Sequence, residues 1–137
     1  MHHEIYERFE KLVKDVVQEK QLDLPLREID IARIHFSVYS LRETKSKYPL
    51  HEIIFMYYGL PKKIDEKPET PKTLKKIGLI YKISPSRAQQ LKDKGLTFLR
   101  RGERAYPFIF MVRHEMEWKI KSLEKEIENM EKKLQEK

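Results

Sequence analysis

From Ile109 to Leu134 the apolar residues recur at alternating spacings of four and three, through Met116, Ile120, Leu123, Ile127 and Met130, with Arg113 in the one imperfect slot. A strand sends neighbours to opposite faces and cannot collect such a set, whereas a helix lines them up as one stripe. The pattern predicts a single long helix from about Pro107 to Lys137, with Glu/Lys-rich flanks and an a/d seam of three to four heptads. Ile at a with Leu or Met at d suits two strands. The seam predicts either a coiled coil, with a second copy or another partner through residues 109–134, or a helix folded back on the N-terminal helices. In the second case Trp118 is an added buried anchor.

The same spacing governs the rest of the chain. Ile5, Phe9, Leu12, Val13, Val16 and Val17 predict a helix over residues 4–20, ended by residues 22–25, Leu-Asp-Leu-Pro. Ile31, Ile34, Val38 and Leu41 form a second stripe. Residues 44–48 read as a loop before Pro49, and Leu50, Ile53, Ile54 and Tyr57 share the face of a third helix that ends at Gly59. Residues 59–72 hold three prolines and many charges and read as an exposed loop. A fourth helix over residues 73–81 points Leu74, Ile77 and Ile80 inward, and Ile83 plugs the following turn. Ser84 is a good N-cap and Pro85 suits the first helical position, so a fifth helix runs to about Leu99 with Ala88, Leu91, Gly95, Leu96 and Leu99 inward. With only 4 glycines and 37% charged residues, the chain is expected to be all-α. The expected parts are an N-terminal helical segment (1–48), a small helix-turn-helix domain (49–101) and a long C-terminal helix (102–137).

Charge singles out one part of this plan. Residues 70–101 carry nine Lys/Arg against one Asp, while residues 1–69 sum to −1 and residues 102–137 to zero. The chain's net +7 therefore sits on the fourth and fifth helices, the footprint of a surface that meets phosphates. A helix in a major groove needs polar side chains near its N-terminal end that reach base edges, with cations around them for the backbone. Ser86, Arg87, Gln89 and Gln90 supply the first set. Lys72, Thr73, Lys75, Lys76, Lys82, Ser84, Lys92 and Lys94 supply phosphate contacts.

This stretch resembles region 4.2 of the sigma-70 family, the part of bacterial sigma factors that reads the −35 promoter element. Thr73-Leu74, Ile77-Gly78, Ile83-Ser84, Arg87, Gln90-Leu91, Lys94, Leu96 and Leu99-Arg100 fall in the family's register without a gap. Upstream, LHEIIFMYYGL (50–60) is similar to region 4.1. The family's turn glycine is Lys82 here, its Arg-Glu pair opening the recognition helix is Pro85-Ser86, and a further base-reading arginine is Gln89. Nothing resembles region 2. The resemblance implies a double-stranded-DNA-binding transcription factor that works with RNA polymerase core or a sigma-like partner protein, with its own sequence preference. In that family a patch at the positions of Phe55, Met56, Tyr57 and Tyr58 would meet polymerase; core packing is the expected role here.

Two other readings stand beside it. One is a dimeric helix-turn-helix regulator, or a phage-type DNA-recognition subunit, independent of polymerase. The other is a protein–protein interaction module without DNA binding, as in signal-recognition-associated helix-turn-helix proteins. With no cysteine, no apolar leader and no apolar stretch of membrane length, a cytoplasmic, nucleoid-associated protein without disulfides is expected. His51-Glu52 and His114-Glu115 lack a second histidine at metalloprotease spacing, and no nucleophile set or phosphate loop is present, so neither metal, cofactor nor enzymatic activity is expected.

Overall fold

The computed structural model describes residues 3–19 and 26–136; the expected helix break at residues 22–25 and the side chain of Trp118 lie outside what it describes. The described residues form an all-α fold with no strand. Helix α1 spans His3–Val17, α2 Glu28–Tyr39, α3 Leu50–Tyr58, α4 Leu74–Tyr81, α5 Pro85–Leu99 and α6 Tyr106–Gln135, with short 3-10 turns at Ser40–Glu43 and Gly102–Ala105.

Each apolar stripe closes on the others. Phe9, Leu12 and Val13 of α1, Ile31, Ile34 and Val38 of α2, Ile53 and Ile54 of α3, Ile77 of α4, and Leu91 and Leu99 of α5 are essentially sealed from solvent. They form one cluster that also takes in Phe108 and Met111 at the start of α6. The three expected segments thus share a single core running from Ile5 to Met111. Burying a side chain of this size contributes about 1.5–3 kcal/mol, so this cluster is the main stabilising term. Phe55 and Tyr58 are buried and Met56 and Tyr57 pack partly against the cluster, so these four belong to the body of the fold.

Helix ends follow local chemistry. The Asp30 carboxylate reaches back to the Arg27 backbone N–H (3.0 Å) and its guanidinium Nε (3.1 Å) at the start of α2. Burial alone would raise the Asp30 pKa, but these bonds and the Arg27 charge outweigh it and hold the carboxyl below its usual value. Gly59 ends α3 at φ 68, in the left-handed region glycine tolerates best. The loop after it is not loose at its ends: Arg8 Nη1 donates to the carbonyls of Gly59 (2.8 Å) and Glu69 (3.0 Å), and Lys72 N–H donates to Met56 O.

The outcome differs from expectation in α4 and in α6, and the 59–72 loop is buried at its start, at Gly59, Leu60 and Pro61. Ile80 was expected to point inward, yet is half exposed (51%). The inward stripe of α4 continues from Leu74 and Ile77 to Tyr81, which packs on the core and donates its hydroxyl to Glu52 Oε2 at 2.8 Å; Ile80 lies about 100° around the helix from Tyr81. The C-terminal helix, in turn, does not choose cleanly between its two expected fates. Its first turns fold onto α1 and α2 through Phe108 and Met111, while Met116, Ile120, Leu123, Ile127, Met130 and Leu134 all stay exposed.

Candidate nucleic-acid interface

Helices α4 and α5 are joined by only three residues, Lys82, Ile83 and Ser84. Thr73 caps α4 by accepting the Lys76 N–H (3.2 Å), and Ser84 caps α5 by accepting the Arg87 N–H (3.1 Å), with Pro85 behind it in the first turn. The turn is tight because residue 78 has no side chain. A Cβ there would stand 2.6 Å from the Ile83 carbonyl oxygen, and the Ile83 N–H bonds to Gly78 O at 2.8 Å. Lys82 ends α4 in the left-handed region (φ 57, ψ 48), so the lysine occupies a glycine-type conformation. Gly95 lets α5 lie against α3, its Cβ position being 3.2 Å from Ile54.

This packing sets the outward face of α5. Ala88, Leu91, Gly95, Leu96 and Leu99 turn inward, and Ser86, Arg87, Gln89 and Gln90 are all exposed near the helix N-terminus. Arg87 Nη1 donates to Gln90 Oε1 at 3.1 Å, which orients a planar guanidinium beside a planar amide whose N–H2 remains available. The N-terminal end of α5 also presents the positive pole of the helix dipole.

The predicted phosphate contacts divide. Lys75, Lys76, Lys82 and Lys94 are exposed, and none of the ion pairs among the described residues falls on them. Thr73 and Ser84 use their oxygens as caps and keep a hydroxyl proton to donate. Lys72 is engaged elsewhere: its ammonium bonds Glu69 Oε2 at 2.7 Å and holds that carboxyl below its usual pKa. Lys92 lies along the body, 4.5 Å from the Tyr57 ring centroid and 3.6 Å from Asp93 Oδ1. Arg100, part of the sequence's positive excess, donates to the carbonyls of Val16 (2.7 Å) and Asp15 (2.8 Å) and so satisfies the last turn of α1. The charge that faces outward is therefore smaller than the count over residues 70–101 implied.

Sequence reasoning missed Arg8, Arg100 and Arg104 as structural anchors. Arg104 bonds Ser40 Oγ at 2.9 Å, and Ser37 Oγ donates to Arg104 O. These bonds join residues 51 to 85 positions apart, and no local pattern announces them. It also missed an apolar pair beside the basic face, Leu79 (72% exposed) and Ile80 on α4. Among the described residues no group of three or more His, Asp or Glu could hold a metal ion, and no helix is long and apolar enough to cross a membrane. Compared with protein-family models, with curated proteins and with solved structures, the chain matches none.

Proposed function

We propose that the protein is a sigma-like DNA-binding transcription factor that lays the start of α5 in a major groove and acts with RNA polymerase or a sigma-like partner at the nucleoid. One observation carries this reading: Ser86, Arg87, Gln89 and Gln90 stand together on the exposed N-terminal face of α5, flanked by Lys75, Lys76, Lys82 and Lys94, on which no ion pair among the described residues falls. Guanidinium and amide groups so placed match the hydrogen-bonding edges of guanine and adenine, and the lysines match phosphates. The likeness of residues 49–101 to sigma region 4 supports the same orientation, and Pro85, Ser86 and Gln89 give it a different sequence preference.

The test is affinity for duplex DNA as a function of salt. Each neutralised phosphate contributes a slope of about −0.9 in log K against log salt. Arg87→Ala weakens binding to a selected site by about 1–3 kcal/mol and leaves random-sequence binding nearly unchanged. A flat salt response overturns the reading. Leu79 and Ile80 favour a second one, an interaction module that binds protein and no DNA through the same arm. Capture of polymerase by the full chain, undiminished in Arg87→Ala and lost in Leu79→Lys, together with that flat salt response, selects it.

A further inference from the structure

Helix α6 is 30 residues long, about 45 Å, and among its described apolar side chains those buried against the body, Phe108 and Met111, lie in its first turns. Beyond Met111 no described side chain is fully buried, and the exposed stripe from Met116 to Leu134 holds six large apolar residues, between 55% (Ile120) and 71% (Leu134) exposed. In proteins most helical stability comes from packing an amphipathic face against a neighbour, and the stripe of α6 is such a face left open. We infer that this stripe pairs with the same stripe of a second copy, as a parallel, in-register, two-stranded coiled coil running from Met116 to Leu134.

The seam chooses the number of strands. Ile120, Ile127 and Leu134 take the a positions, and Met116, Leu123 and Met130 take d. Isoleucine at a with leucine at d favours two parallel strands. Area permits a stable pair: twelve side chains from two copies, each removing on the order of 100 Å² of apolar surface from water, give on the order of 1,200 Å², the size of a specific interface. Arg113 sits at the next a position towards the body and is exposed. Two guanidiniums meeting there disfavour close packing, so tight contact begins at Met116.

The flanks choose the direction. Glu117, Glu124 and Glu131 occupy every e position, and Lys119, Glu126 and Lys133 the g positions. In an antiparallel pair e faces e, so any register sets glutamate against glutamate along one whole edge. In a parallel pair g faces the e of the next heptad. On each edge Lys119 then meets Glu124 of the second copy, and Glu126 meeting Glu131 is the one unfavourable g–e pairing. Parallel pairing holds both bodies at the same end of the coil and presents two α5 helices together. It stands whether or not α5 meets DNA.

Sedimentation of the full chain over a wide dilution series tests it. The expected result is a reversible dimer whose helicity falls on dilution as the distal part of α6 loses its partner. Ile120→Lys with Ile127→Lys, both on the exposed stripe and away from the core, weakens the dimer by more than about a thousandfold while the body keeps its denaturation midpoint. Glu126→Lys turns the unfavourable pairing into a favourable one and tightens the dimer about threefold to tenfold; in an antiparallel pair it gives no gain. The chain has no cysteine, so Leu134→Cys supplies one thiol per copy. With oxidised glutathione the parallel pair forms a disulfide-linked dimer in high yield. A monomer at every concentration, a higher oligomer, or a dimer that neither cross-links at residue 134 nor tightens with Glu126→Lys overturns the proposal.

Discussion

Phe108 and Leu123 lie on the same helix and meet opposite surroundings. Phe108 is sealed (1% exposed) against α1 and α2, while Leu123 is open to solvent (58%). Leu123 belongs to the a/d seam, whereas Phe108 and Met111 form an i, i+3 apolar pair off it. What separates them is whether the fold supplies a second surface. The body closes six helices on one another, whereas the described apolar side chains of the last helix from Met116 onward are all exposed. An open stripe is thus a statement about a partner, and a closed one a statement about stability.

Unfolding measurements test that contrast most sharply. Phe108→Ala leaves a cavity in the shared core and destabilises the body by about 3–5 kcal/mol in chemical denaturation. Leu123→Ala in dilute solution shifts the body's unfolding by no more than about 0.5 kcal/mol. Comparable losses for the two would mean that the distal helix is packed within its own chain, and the contrast would fail.

A smaller effect comes from the turn between α4 and α5. Gly78→Ala drives a methyl to 2.6 Å from the Ile83 carbonyl oxygen, a backbone atom that cannot swing aside. The loss is about 1–3 kcal/mol, typical of an overpacked site, and it should also splay α5 and reduce DNA affinity. Full stability and affinity in this variant would show that the turn opens freely.

These examples also show what was legible in advance. The stripes Ile31, Ile34, Val38, Leu41 and Ala88, Leu91, Leu96, Leu99 are buried as their spacing predicts, because a helix turns period into a face. The inward placement of Ile80 fails because on a helix of eight residues a single position shifts the stripe, and tertiary contacts of Tyr81 with the core, the Tyr48 ring and Glu52 set it. The Arg87–Gln90 pair was legible as polar spacing near a helix start. The withdrawal of Lys72, Lys92 and Arg100 from the outward face was not, since a cation's role depends on which carboxylate, ring or carbonyl the fold brings near it.

Lys82 blurs the line between closed and open, because its side chain is exposed while its backbone is constrained. At φ 57 a β-carbon costs about 1–2 kcal/mol, partly offset by the greater freedom glycine has when unfolded. Lys82→Gly should therefore stabilise the body by about 0.5–1 kcal/mol in denaturation while removing one cation from the basic face. A variant that gains stability and loses a little DNA affinity separates the two roles of one residue. A loss of stability would show that the lysine stem packs on the body.

His51 stands between the two regimes and gives the smallest effect. It is half-buried on α3, edge-on to Tyr39 at 5.8 Å and to Phe55 at 6.3 Å between ring centroids, and its enclosed Nδ1 has no hydrogen-bond partner among the described residues. Burial lowers its pKa below 6.5; the Glu52 charge opposes this, and Arg42 and Lys62 add to it. The folded state thus binds the proton more weakly than the unfolded chain. Stability from this group is complete above pH 6.5 and is lost as the pH falls towards the lowered folded value. The slope is shallow, because solvent reaches part of the ring and screens its charge. Denaturation midpoints across this acid range should fall less steeply in His51→Gln than in the parent, the other histidines being common to both. Equal slopes would place the ring in water in either protonation state and move His51 to the open side of the molecule.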